Sequence, residues 1–202
     1  MTVRNLLRHR GGASATEFAM VLPLLLVLLF GIIDGARFMW EYNRAEKATQ
    51  TGARYAAVTQ PVASGIASAS FVDVVCSAAL KPGERICASA LPPVTCTSTG
   101  CTCSGCPAEV PGTYNAAAFS NIVGQIQRFE PDVAASNVQV IYSGSGLGYA
   151  GDPTGADVSP LVTIKLIGLQ FTPITTLLTM TVSKPNFTTT LTAEDLAGTQ
   201  SN

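Results

Sequence analysis

Near the N-terminus, two features could take part in chemistry. They are the carboxylate of Glu17 and the peptide bond between Gly12 and Ala13. Glu17 stands at the start of an uncharged stretch that runs from Phe18 to Ile33. An ionised carboxylate in hydrocarbon costs at least about 2.5 kcal/mol, so a chain that carries one beside an apolar run usually uses it. Cleavage after Gly12 would free an amine on Ala13, one helical turn from Glu17. The spacing therefore brings a carboxylate and a potential ammonium group together.

The element that must position these groups is an apolar helix. Together with the small residues Ala13 to Thr16, the uncharged stretch reaches roughly twenty residues, enough to cross a bilayer. We expect a basic leader over 1–12 and a transmembrane helix over 13–34. Three arginines and no acidic residue precede Glu17, so we expect the N-terminus to stay in the cytoplasm. These arginines are Arg4, Arg8 and Arg10.

Three interpretations of this segment compete. A secretory signal peptide would be cut after a small-x-small site, but Asp34-Gly35-Ala36 begins with an acidic residue. A plain anchor helix would explain the length and leave Glu17 as an unexplained cost. Cleavage after Gly12 would instead make Glu17 the fifth residue of the mature chain.

The third interpretation carries a family resemblance. A basic leader ending in Gly, then Glu at the fifth mature position, then an apolar helix, resembles the processing signature of type IV prepilins and pseudopilins. More narrowly, SATEFAMVLPLLLVLLFGIIDGAR followed by ATQTGARYAA is similar to the TadE-like family. Members of that family are minor pseudopilins of the tight-adherence (Tad, Flp) pilus machinery of bacteria. The similarity is strongest over 11–57 and returns in SPLVTIKLIGLQFTPI and TTTLTAEDLAG.

The resemblance implies partners and roles. A prepilin peptidase would cut between Gly12 and Ala13, and Glu17 would neutralise the N-terminal amine of a neighbouring pilin or pseudopilin. The alternative role for Glu17 is a carboxylate at headgroup depth that reaches water. At the level of the whole protein, the alternative is a single-pass, membrane-anchored periplasmic domain that binds a ligand or partner without entering a pilus.

The pilin plan also predicts the fold class, which is α+β. We expect one long N-terminal helix, half in the membrane and half exported, packed on a small antiparallel sheet with an additional helix. The exported half should cover 35–60, since Pro61 is the first clear stop after the apolar run. Its small residues form a stripe near helical period, and Glu41, Arg44 and Lys47 are expected to face solvent.

Two regions follow the helix. Residues 61–113 are rich in Cys, Pro and Ser, with a possible short helix over 71–80. Residues 114–202 read as an α+β head, in which a helix around 119–129 precedes four β-rich segments. These segments are 138–142, 162–168, 179–183 and 186–192. The loop SGSGLGYAGDPTGADVSP lies between the first two of these segments, and its Asp152 and Asp157 leave two alternatives open, a calcium site or a solvated loop.

All six cysteines lie beyond the apolar helix, in a region expected to be exported. They are Cys76, Cys87, Cys96, Cys101, Cys103 and Cys106. An even set in an exported region predicts disulfides, and Cys76 with Cys87 is the preferred local bridge. Pairing among the other four cannot be deduced from the sequence, and a structural zinc or redox chemistry at the Cys103–Cys106 pair are alternatives.

Several function classes fit poorly. The single histidine, His9, lies in the leader, so the mature chain would lack histidine-based catalytic triads and histidine metal ligands. Removing the three leader arginines from the 12 basic residues leaves nine against 13 acids, and a mildly acidic region of this kind is not a nucleic-acid binder. We therefore predict no enzyme activity, no metal and no cofactor.

Overall fold

A computed structural model describes residues 13–153, 155–174 and 181–196. These residues form two compact units. The smaller unit contains the described residues up to Trp40 and those within 170–182, and the larger unit contains Glu41–Leu169 and the described residues after Val182. The expected leader over 1–12 lies outside the described residues.

The helices are α1 (Ala13–Ala57), α2 (Gly65–Ser68) and α3 (Ala116–Gln127). The strands are β1 (Val94–Thr97), β2 (Gly100–Cys103), β3 (Val138–Ser143), β4 (Leu161–Leu166), β5 (Gln170–Phe171), β6 (Val182–Ser183) and β7 (Phe187–Thr192). Short 3-10 turns cover Ala88–Ala90 and Ala135–Asn137.

The larger unit is built on a five-stranded sheet in the order β2-β1-β3-β4-β7, in which all neighbours are antiparallel. Side chains alternate between buried and half-exposed along β3 and β4, as expected for strands with one face on a core. Val140 lies opposite Ile164, which brings their buried side chains onto the same face. β5 and β6 form a separate two-stranded sheet.

The second half of α1 packs on this sheet through small residues. Ala45, Ala48 and Ala53 are fully buried. A Cβ atom added to Gly52 would lie 2.8 Å from Ile126 Cγ1 of α3 and 3.6 Å from Ile164 Cγ2 of β4. Glycine is therefore required here for the close approach of the helix. The α+β class, with a long N-terminal helix on an antiparallel sheet and further helices, is confirmed.

α3 occurs where the helical spacing predicts it. The side chain of Asn115 accepts a hydrogen bond from the backbone N–H of Ala118 at 3.0 Å and caps the N-terminus. Its apolar face buries Phe119, Ile122 and Ile126.

The expected helix over 71–80 is wrong, because these residues form turns. The N–H of Asp73 donates to Leu80 O, and that of Leu80 donates to Val74 O.

The Cys-rich region is also more regular than its weak periodicity indicates. It supplies β1 and β2, a hairpin whose first strand pairs with β3. Thr and Cys alternate in this hairpin, and both pack well on a pleated surface although neither gives a strong hydrophobic signal.

Candidate functional site

Glu17 lies one turn inside α1, which begins at Ala13 in the described chain. Gly12 lies outside the described residues, so cleavage at the Gly12–Ala13 bond stays a prediction. From the residues that the structure describes, no ion pair or side-chain hydrogen bond reaches the exposed carboxylate of Glu17. Among residues 13–153, 155–174 and 181–196, Glu17 is thus a charge without a partner at the start of the apolar helix.

The surroundings of Glu17 are apolar and exposed. Phe18, Met20 and Leu24 follow it on α1, and each is more than half exposed. Within the described residues, α1 is the one helix that is long and apolar enough to cross a membrane. Large apolar side chains that the chain itself leaves uncovered suit lipid or a neighbouring helix.

The six cysteines form three disulfides in the structure, joining Cys76 to Cys87, Cys96 to Cys101 and Cys103 to Cys106. The first is the local bridge that the sequence favours. Cys96 and Cys101 lie at facing positions of the β1–β2 hairpin, so their bridge clamps that hairpin. In this arrangement the three bridges use all six sulfur atoms, and zinc would have no thiolate ligand among them. The oxidation state in the cell stays a prediction.

Asp157, one of the two aspartates considered for calcium, is buried and makes structural contacts. Its Oδ2 accepts the backbone N–H groups of Phe71 and Gly151 at 2.8 Å each. Its Oδ1 accepts the N–H of Asp152 at 2.9 Å. A carboxylate with three backbone donors is well stabilised without a metal ion. The arrangement therefore ties the Gly- and Asp-rich loop to the turn at residue 71.

A buried charge cluster, made of Glu41, Arg44, Glu130 and Lys184, was missed by sequence reasoning. Lys184 Nζ lies 2.7 Å from Glu41 Oε2 and 3.8 Å from Glu130 Oε1. Arg44 Nε lies 3.2 Å from Glu130 Oε2 and donates to Phe129 O at 2.9 Å. Glu41 and Arg44, which were expected to face solvent, are instead half-buried because they pair with charges distant in sequence. Lys47 is exposed, as expected.

Glu130 and Lys184 are the buried members of this cluster, and Glu130 is only 4% exposed. Burial raises the pKa of the Glu130 carboxyl above its ordinary value, although Arg44 and then Lys184 act to lower it. Glu41 and Asp132 raise it further. The i,i+3 spacing of Glu41 and Arg44 was visible in the sequence, but no sequence signal linked either residue to Glu130 or Lys184.

A family model described as TadE-like protein matches residues 12–54. Comparisons with curated proteins and with solved structures gave no match. The matched residues start beside the expected cleavage bond, include Glu17 and extend into the half of α1 that packs on the sheet. The resemblance noted in the sequence is therefore confirmed over residues 12–54, where the N-terminal segment is similar to the TadE-like family.

Proposed function

We propose that this protein is a minor pseudopilin of a Tad/Flp-type pilus, where it assembles with other pseudopilins to prime, build or regulate the filament. In this proposal it is a single-pass protein of the bacterial inner membrane, with a cytoplasmic N-terminus and a periplasmic head. A prepilin peptidase removes residues 1–12. The family match supports association with the Tad pilus, and the remaining steps are argued from the residues of the chain.

The single observation that carries the proposal is the position of Glu17. Its carboxylate is exposed and unpaired among the described residues, at the start of an exposed apolar helix. Such a charge is costly in lipid unless a cation meets it. The described residues of this chain supply no such cation, so a partner molecule is the natural source.

Cleavage after Gly12 creates a suitable cation, because the new N-terminus at Ala13 is an ammonium group. Within one chain the two groups lie a helical turn apart. Between chains, the ammonium of an incoming subunit relieves the cost of the unpaired carboxylate and fixes the axial register of the two helices. The charge then both selects the neighbour and aligns it.

The larger unit is proposed to be the exported head. Its three disulfides suit an oxidising compartment such as the periplasm. The exported part would comprise the Cys-rich region 61–113 and the α+β region 114–202, which share one sheet through β1 and β3. Within 114–202, residues 170–182 belong to the smaller unit. No catalytic residue, metal or cofactor is assigned to it. Its partners are other pilins or pseudopilins.

The test is Glu17→Gln, a nearly isosteric change that removes only the charge. We expect normal membrane insertion and a normally folded head, with loss of crosslinks to partner pseudopilins and loss of piliation. Glu46→Gln, at an exposed position further along α1, is the matched control and should assemble like the wild type. Normal crosslinks and pili with Glu17→Gln at wild-type levels would overturn the assembly role and favour an anchored binding domain.

A further inference from the structure

In the smaller unit, a second segment meets α1 where the apolar run ends. Asp34, the first charged residue after that run, is buried. Its Oδ1 accepts the backbone N–H of Ile174 at 2.8 Å and lies 3.4 Å from Arg37 Nη1. The segment that follows β5 is thereby held against the helix at the position where the uncharged residues stop.

An aromatic contact fixes the same segment independently. The ring of Phe171 packs edge-to-face on Phe38, with ring centroids 5.4 Å apart. The guanidinium of Arg37 lies 5.4 Å from the centroid of the Phe171 ring. Two separate sets of contacts, one polar and one aromatic, therefore hold this segment on one turn of α1.

Apolar side chains near this junction are exposed. Ile174 is 53% exposed and Trp40 is 67% exposed, and Met39 and Val182 are also exposed. We name these four residues the apolar collar. The sequence of 170–182, QFTPITTLLTMTV, contains no charged residue, although its residues 175–180 lie outside the described structure. Exposed apolar groups in an uncharged segment of this kind mark an interaction surface.

We propose that the collar is a second membrane contact, in which Ile174 enters the interfacial layer of the bilayer beside α1. The partner is lipid because the α1 residues of the collar follow the uncharged run within two helical turns, and because tryptophan favours the membrane–water interface. Where the segment approaches α1, the backbone N–H of Ile174 is satisfied by the Asp34 carboxylate, which lowers the cost of placing that group at the bilayer boundary. The inference rests on the proposed membrane-spanning role of α1, but not on pilus assembly.

The test uses the full chain in two kinds of phosphatidylcholine vesicle, with lipids brominated near the headgroup to read the collar and with lipids brominated deep in the acyl chain to read the middle of α1. Trp40 is the only tryptophan, so a Trp40→Phe background permits a single reporter at a chosen site. Ile174→Trp is the reporter for the collar, and Leu25→Trp, at an exposed site within the apolar run, reports insertion of α1. Leu147→Trp, at an exposed apolar site of the larger unit, is the aqueous reference.

We expect the Ile174→Trp reporter to show a blue shift and a loss of emission in brominated vesicles, unlike the Leu147→Trp reference. If the Leu25→Trp reporter is quenched while the Ile174→Trp reporter matches the reference, the collar does not contact lipid. The inference then fails, while the membrane-spanning role of α1 stands. An unquenched Leu25→Trp reporter would overturn the membrane-spanning role and the inference with it. If Ile174→Trp prevents folding, judged by near-ultraviolet circular dichroism, Val182→Trp takes its place in the same comparison.

Discussion

The two halves of α1 are built from different residues and meet different surroundings. Up to Trp40 the helix carries large apolar side chains such as Met20 and Leu24, which the chain leaves exposed. From Glu41 onward, buried alanines and Gly52 lie against the sheet. Where the chain supplies its own partner surface, small residues allow close approach. Where it does not, bulky apolar residues remain available to lipid or another subunit.

The largest expected effect of a sequence change on folding concerns the disulfides, which all lie in the larger unit. Replacing Cys76 and Cys87 together by serine should lower the free energy of unfolding of the head by about 3 kcal/mol, because the lost bridge closes a loop between residues 11 apart. Urea denaturation in mild detergent measures this loss, and carbonate extraction should show unchanged membrane insertion.

The shorter bridge offers a comparison. Replacing Cys103 and Cys106 by serine opens a loop between residues only three apart. This change should lower the free energy of unfolding of the head by about 2 kcal/mol. Mass spectrometry of the non-reduced wild type should find no free thiol. Alkylatable cysteines together with bound zinc would contradict the disulfide assignment.

A pair of glycine substitutions tests the contrast between the two halves of α1 directly. Gly52→Leu should destabilise the head by about 1–3 kcal/mol, since the new side chain would collide with Ile126. Gly31→Leu is the matched control, because a Cβ atom there meets nothing within 4 Å. Both changes add the same helix propensity, so the difference between the two variants isolates the contact. Equal stability of the two variants in urea denaturation would show that the second half of α1 is not more closely packed than the first.

The smallest effect concerns Glu130, whose carboxyl pKa is raised by burial. The fold favours the neutral form of this group. Its stabilising contribution is therefore fully present below the ordinary glutamate pKa and is lost as the pH rises through the raised pKa. Glu130→Gln cannot ionise, so its stability relative to the wild type should improve as the pH rises through that window.

The measurement is the urea midpoint of the wild type and of Glu130→Gln across mildly acidic pH. Glu46→Gln, on the exposed side of α1, removes one carboxylate without touching the buried charge cluster. A pH dependence of Glu130→Gln that parallels the wild type would show that this carboxyl does not titrate as its burial indicates.

Local patterns in the sequence predict α1 from its long uncharged run, α3 from its helical spacing, and the strands β3, β4 and β7 from β-rich or alternating residues. The hairpin of β1 and β2 was missed since threonine and cysteine give little hydrophobic contrast. The expected helix over 71–80 failed because the Cys76–Cys87 bridge and the Asp157 carboxylate hold that segment in turns. Contacts of this kind join residues distant in the chain, which no local period records.

The residues of the candidate site also differ in whether the sequence reveals them. Glu17 stands out in the sequence because a charge at the edge of an apolar run is unusual, and the family match includes it. The buried charge cluster left no such signal. Glu41 and Arg44 look like surface residues on a helix until Lys184 and Glu130 are placed beside them.

The central claim is that cleavage after Gly12 makes α1 the N-terminal helix of the mature chain. Glu17 is then the fifth residue and is available to bind a partner subunit. The most direct measurement is the N-terminal sequence and intact mass of the protein extracted from the membranes of cells with an active prepilin peptidase. The account predicts a mature chain that begins at Ala13, with Gly12→Leu leaving the full-length form to accumulate. A wild-type chain that begins at Met1 or Thr2 in those membranes, or normal trimming of Gly12→Leu, would contradict it.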